Sequence, residues 1–171
     1  RTFGHTVKLK LSSHTIVTGY DGRLTSPLLH KALCEGLKDS GSKVLNIGMG
    51  PTPMTYFAHY HFEADAAVML TGSHNPSEYN GFKMVFNKHS FFAADIQSLQ
   101  KLLDNNELEL AEGQIINHDI TKEYIERDLL NISLNRKLKV AWDPGNGAMG
   151  KVTRDITEQL TNSENIIINE E

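Results

Sequence analysis

Short apolar runs alternate with amphipathic stretches along most of this chain. The runs at residues 14–19, 44–47 and 66–70 read as strands, and the last of them, Ala66-Ala67-Val68-Met69-Leu70, is continuous, as in a strand covered on both faces. Between the first two, residues 26–40 carry Leu28, Leu29, Ala32, Leu33 and Leu37 at helical spacing, with Pro27 at the first position and Gly41 as the stop. A shorter helix is predicted over 53–61. The resulting order, β-α-β-α-β, implies right-handed crossovers and an α/β fold: a mixed, mostly parallel sheet with helices on both faces.

Beyond residue 81 the pattern changes. Residues 82–86 look like an added strand, 87–89 like a turn, and 94–105 like a helix with Ile96, Leu99, Leu102 and Leu103 inward. The polar, acidic stretch 106–118 reads as a connecting segment, and Ile120, Tyr124, Ile125 and Leu129 form a helical stripe suited to closing the domain. A polar boundary at 133–137 precedes a strand at 138–142, a turn at 144–147, a helix over 148–161 and a strand at 166–168. One β-α-β unit of that size cannot bury both faces of its sheet. The expectation is therefore a domain over 1–135 and the incomplete start of a second, similar domain over 136–171; the chain opens at Arg1 without an initiator methionine.

Composition narrows the classes. The chain has 171 residues, 39% of them hydrophobic, which supports a sizeable core, and its net charge of -4 without a long basic run argues against nucleic-acid or membrane-surface partners. Neither a signal peptide nor a bilayer-crossing apolar stretch is legible, so cytoplasmic is the default compartment. The single cysteine, Cys34, falls on a helix face as a small buried hydrophobe. His59 and His61 lack further ligands at metal-binding spacing and read as surface groups near a helix end. Gly48-Met49-Gly50 lacks the third glycine of a dinucleotide site, and Ser73 lacks the Gly-x-Ser-x-Gly elbow of a hydrolase.

The candidate chemistry lies after the third strand. Thr71-Gly72-Ser73-His74-Asn75-Pro76 and then Tyr79-Asn80-Gly81-Phe82-Lys83 form a loop at a strand's carboxyl end, where open α/β sheets gather their sites. Pro76 biases Asn75 towards an extended conformation that presents the side chains before it. Lys83 can bring positive charge to that loop. Arg23, in the turn after the first strand, reaches the same sheet edge, either to anchor phosphate, to orient the loop or to pair with Asp21.

This loop resembles the active-site loop of the α-D-phosphohexomutases, the phosphomannomutase/phosphoglucomutase enzymes, whose pattern is T-A/G-S-H-N-P followed by N-G-F/Y-K. Three more stretches resemble that family in its order: Gly19-Tyr20-Asp21-Gly22-Arg23-Leu24-Thr25-Ser26-Pro27, Pro51-Thr52-Pro53, and Trp142-Asp143-Pro144-Gly145-Asn146-Gly147-Ala148. Tyr20 stands where the family usually has arginine. The resemblance implies a reversible transfer of phosphate between the 1 and 6 positions of a glucose or mannose phosphate, through a phosphorylated Ser73 and a bisphosphorylated sugar. It implies Ser73, His74 and Lys83 as catalytic residues, with Arg23 and Asn75 binding substrate or phosphate. It further implies Mg²⁺ bridged to Ser73 through its phosphate, hexose 1,6-bisphosphate as activator, and hexose phosphate as partner along with the enzyme's remaining domains. No D-x-D carboxylate run occurs in the 171 residues, and the family's sugar-selecting and terminal phosphate-binding segments are absent too. The chain on its own is thus expected to be inactive; a non-catalytic phosphosugar-binding or interaction remnant of the fold is the alternative.

Overall fold

The three apolar runs become the middle of a six-stranded sheet. The computed structural model describes residues 2–4, 6, 14–105 and 108–170. Its elements run β1 (Thr15–Tyr20), α1 (Ser26–Lys38), β2 (Lys43–Met49), α2 (Thr52–His61), β3 (Ala66–Leu70), β4 (Phe82–Phe86), β5 (His89–Phe91), α3 (Ala94–Asp104), β6 (Gln114–Asn117), α4 (Thr121–Leu129), β7 (Leu138–Trp142), α5 (Gly150–Gln159) and β8 (Ser163–Ile167). The sheet order is β5-β4-β3-β1-β2-β6. Pairings among β6, β2, β1 and β3 are parallel, and β4 and β5 are added antiparallel, so the mixed, mostly parallel sheet expected from the sequence is present.

Alternation along the central strands supplies two cores. Ile16, Val44, Ala66 and Val68 face one side with Cys34 and Leu37 of α1, while Val17, Leu45, Ile47 and Ala67 face the other with Met54 and Ala58 of α2. Both faces of β3 are therefore covered, which is why its five residues are all buried and show no polar alternation. Ile120, Tyr124 and Ile125 join the α2 side, as their stripe suggested, and Val152 of α5 enters the same cluster. Ile125 is 1% exposed, and Ile125→Ala is expected to destabilise the protein by about 2–5 kcal/mol, read as a lower urea midpoint. A midpoint equal to that of the parent would show that α4 does not seal this face.

Several expectations need correction. The buried face of α1 is Ser26, His30, Cys34 and Leu37, whereas Leu28 is 75% exposed and Leu29 39%. The i, i+4, i+8 register starting at Ser26 wins because Ser26 and His30 find polar partners inside, so Leu28 and Leu29 turn outwards while Leu33 and Leu37 pack on the core as expected. Helix α3 buries none of its residues: Ile96 and Leu103 are exposed, and Leu99 alone of its four apolar positions packs against the core. The expected connecting segment contains β6, which pairs parallel with β2 from Lys43↔Gln114 to Asn46↔Asn117. As an edge strand with one neighbour it has only Ile115 and Ile116 as apolar signal. Asn106 and Glu107, at the head of that segment, and the terminal Arg1 and Glu171 lie outside the described residues. Residues 87–89 split into a turn at Asn87-Lys88, both at positive φ, and the first residue of β5. His59 is 1% exposed instead of lying on the surface, because it is covered beside Ala64 and Asp65, which follow α2.

The buried histidines make stability pH-dependent. His30 lies 4% exposed beside Cys34, and burial, partly opposed by a hydrogen bond with the Thr18 backbone, pushes its pKa from 6.5 down to about 4. The unfolded chain binds this proton near pH 6.5 while the folded one resists it until about pH 4, so the native state is fully favoured above 6.5 and loses ground as the pH falls between those values. The loss for this group is about 3 kcal/mol. Burial shifts His59 in the same direction. Urea midpoints should fall from pH 7 to pH 4.5, and His30→Gln should flatten that slope; an unchanged slope would remove His30 as its origin.

The second, two-stranded sheet pairs β7 and β8 in parallel, from Leu138↔Ser163 to Trp142↔Ile167, with α5 between them in sequence. This is the β-α-β unit expected after residue 137. Its helix is shorter than expected and its second strand starts earlier, at Ser163, because Leu160 leaves helical geometry. The outward face keeps Ile166 65% exposed and Ile168 48% exposed.

Candidate active site

Chain order in the sheet creates the site. From β1 the chain crosses over α1 to β2 on one side, then over α2 to β3 on the other. The loops leaving the carboxyl ends of β1 and β3 therefore diverge from neighbouring strands, and such a switch point leaves a crevice between them. Residues 21–25 and 71–81 fill its two sides.

The serine loop is closed at its base and folded into two turns. Thr71 N–H donates to Gly81 C=O at 2.9 Å, Asn75 N–H to Gly72 C=O at 3.0 Å, and Tyr79 N–H to Pro76 C=O at 3.1 Å. Ser73 and His74 occupy the two central positions of the first turn, and Ser73 has φ +54°, a left-handed conformation uncommon for a residue with a side chain. Ser73, His74 and Asn75 are all exposed. Ser73 N–H donates to Thr71 Oγ1 at 2.9 Å, which turns the serine outwards. From β4, opposite Met69, Lys83 extends Nζ to 3.5 Å from Ser73 Oγ. Two of the three residues expected to do chemistry thus meet, and His74 flanks them.

Arg23 lies under the loop. Its Nε donates to Asp21 Oδ2 at 3.0 Å, its Nη1 to the carbonyls of Pro76 and Tyr79 at 2.5 and 2.9 Å, and its Nη2 to those of Ser73 and Asn75 at 2.9 and 2.8 Å. The guanidinium therefore reaches the backbone of the loop and none of its side-chain oxygens. Gly72 permits this approach, since a Cβ there would lie 2.3 Å from Arg23 Cζ. The ion pair with Asp21 and the contact with the serine loop, alternatives in the sequence, coexist. Asn75 contributes its carbonyl to Arg23; its amide side chain is presented to solvent.

The sequence reading assigned no role to Thr71, Ser26 and Asn80, yet they complete this arrangement. Thr71 Oγ1 and Ser26 Oγ each donate to Asp21 at 2.8 Å. Burial raises the pKa of Asp21, but these bonds and those from Arg23 outweigh it and hold the carboxyl below its usual value, hence ionised. Asn80 Nδ2 reaches Ser26 Oγ at 2.9 Å and Thr25 Oγ1 at 3.1 Å, tying the end of the loop to the start of α1. The available signal was the two-residue spacing of Asp21 and Arg23 at a strand end, with hydroxyl residues on the adjoining motif.

A divalent cation site is not assembled by these residues. Among the described residues no group of three or more His, Cys, Asp or Glu is placed to hold a metal. Asp21 already accepts four hydrogen bonds, and the metal role expected of Ser73 would rest on the oxygens of an attached phosphate.

Comparisons with known proteins show the family to which the chain belongs. Residues 1–109 match the family described as phosphoglucomutase/phosphomannomutase, alpha/beta/alpha domain I. The chain is 41% identical over 145 residues to a phosphomannomutase/phosphoglucomutase of Pseudomonas putida, covering 85% of this chain and 31% of that protein. It is 38% identical over 149 residues to a phosphoglucomutase of Neisseria meningitidis, covering 86% of this chain and 32% of the other. A crystal structure of a phosphoglucomutase/phosphomannomutase family protein from Burkholderia thailandensis superposes with a TM-score of 0.90 at 34% identity, over 100% of this chain and 39% of that one. The chain thus spans about a third of the length of the curated relatives it matches.

Proposed function

Since this chain belongs to the phosphoglucomutase/phosphomannomutase family, we propose that it is the phosphoserine-bearing part of a phosphohexomutase acting on glucose or mannose phosphates. Residues 1–135 form its first domain and 136–171 the opening of its second. The observation that carries this reading is the exposed Ser73 hydroxyl at positive φ on the strand switch point, with Lys83 Nζ 3.5 Å away.

In the forward half-reaction phospho-Ser73 donates its phosphoryl group to the free hydroxyl of a hexose monophosphate. The bond between phosphorus and Ser73 Oγ breaks, a bond to the sugar oxygen forms, and the proton lost by the sugar hydroxyl ends on Ser73 Oγ, which is left as a free hydroxyl. The bisphosphate turns in the cleft and returns its other phosphate to Ser73, so no nucleotide is consumed. Phosphoryl transfer needs placement and charge neutralisation more than covalent reactivity, and Lys83 supplies a cation beside the transferring group. His74, next in the same turn, stabilises the phosphate or carries the hydroxyl proton. Asn75 shapes the turn and faces the sugar phosphate with its amide.

In this reading the Mg²⁺ ligands other than phospho-Ser73, and the sugar-selecting groups, would come from the enzyme's other domains. Turnover therefore needs the enzyme's other domains, and the 171-residue chain alone should show none. Hexose 1,6-bisphosphate is the activator that restores a lost serine phosphate, and the setting is the cytoplasm, where hexose monophosphates are metabolised; among the described residues no helix is long and apolar enough to cross a membrane. The test is to assay the protein as its gene encodes it with glucose 1-phosphate and mannose 1-phosphate, each with the matching bisphosphate. Release of the 6-phosphate supports the reading. Sugar phosphate binding without conversion would instead favour a non-catalytic remnant of the fold.

A further inference from the structure

We propose that Arg23 is a positioning residue, a clamp that holds Ser73 in its left-handed backbone conformation, and that it does not bind the substrate's phosphate. The inference rests on the mutase reading for its kinetic consequence but on geometry alone for the clamp. A guanidinium has five N–H donors in a planar fork. Here one goes to Asp21 and four to carbonyls drawn from both turns of the serine loop. None remains for a phosphate oxygen. The charge is also compensated locally, since Asp21 lies 3.0 Å away and both side chains are mostly buried, 12% and 18% exposed.

The clamp acts on the residue that matters. A side chain at φ +54° is disfavoured by about 1 kcal/mol or more, and the loop must supply the restraint that keeps Ser73 there. Arg23 Nη2 grips the carbonyl of Ser73 itself, while Thr71 Oγ1 accepts the Ser73 N–H and passes its own proton's bond to Asp21. Both peptide groups flanking the Ser73 Cα are thus tied to one carboxylate through Arg23 and Thr71. Lysine cannot replace this arrangement, because its donors radiate from a single nitrogen and cannot reach four carbonyls in one plane.

The test separates positioning from phosphate binding. In the protein as its gene encodes it, Arg23→Lys should lower kcat about 100-fold, the scale of a small misplacement of a reacting group, with KM for the sugar phosphate within about twofold. Added guanidinium should restore part of the activity of Arg23→Ala. In the 171-residue chain, carbon chemical shifts of Ser73 should lose their positive-φ signature in Arg23→Lys, and the Asn75 and Tyr79 amides should exchange faster. Should the arginine variants fail to fold, Thr71→Val, of nearly equal volume, removes the other tie and should give the same kcat loss at constant KM. A tenfold or greater rise in KM at constant kcat would make Arg23 a phosphate ligand and overturn the proposal; so would unchanged Ser73 shifts. Loss of the Ser73 signature in a protein whose parent has no mutase activity would leave the clamp standing and overturn the proposed function instead.

Discussion

Ser73→Ala should reduce hexose phosphate interconversion to background and leave the protein unable to accept phosphate from a hexose bisphosphate. The effect is expected to be this large because in the proposed reaction the serine carries the phosphate between half-reactions: without its oxygen neither would have a donor or an acceptor. The fold should be indifferent to the change. Ser73 is exposed and belongs to neither core cluster; its N–H and carbonyl are held by Thr71 and Arg23, and its hydroxyl meets the exposed Lys83 Nζ at a long 3.5 Å. Unfolding midpoints of the parent and Ser73→Ala should therefore agree, so lost turnover reports on chemistry alone. Turnover near the parent's rate would mean that another residue carries the phosphate.

Lys83→Met ranks second. It keeps the length of the side chain on β4 but removes the cation 3.5 Å from Ser73 Oγ. Deleting one charged donor at a developing transition-state charge lowers kcat by about 10²–10³-fold, or roughly 2.7–4 kcal/mol of barrier. The serine should still become phosphorylated, only slowly, which distinguishes this variant from Ser73→Ala. Single-turnover transfer from the phosphorylated protein to a hexose monophosphate measures the step directly. A wild-type rate there, with only the affinity changed, would assign Lys83 to binding.

The meeting of Ser73 and Lys83 was legible in the sequence because the elements that bring it about are local. The AAVML run needed no partner to be recognised as a doubly covered strand, and the loop after it carries Gly72, Pro76 and Gly81 as its own punctuation. Lys83 follows from the antiparallel return of β4, a short-range event in the chain. Arg23 was harder, since its role depends on which of four carbonyls it meets some fifty residues away, and backbone acceptors leave no trace in composition. A basic side chain near a loop expected to carry phosphate suggests a phosphate contact; the structure shows the loop's own backbone using the same donors.

The misread elements share a different cause. Leucine periodicity in α1 pointed to Leu28 and Leu29, but the inward face belongs to Ser26, His30 and Cys34, where Ser26 bonds Asp21 and Cys34 meets Thr18 Oγ1 at 3.4 Å. Hydrophobicity alone could not weigh those polar contacts. Likewise, α3 shows a regular apolar stripe yet leaves Ile96 and Leu103 exposed, since helical spacing records which residues could be buried and not whether a neighbour covers them. Edge strand β6, flanked by polar residues and paired on one side, lacked the length by which interior strands announce themselves.

The most direct measurement is peptide mass mapping of the gene-encoded protein after incubation with a hexose 1,6-bisphosphate. The account predicts one phosphate, located on Ser73 and discharged when a hexose monophosphate is added. Phosphate found on a neighbouring hydroxyl such as Ser77, or a Ser73 phosphate that never leaves in the presence of that sugar, would contradict it.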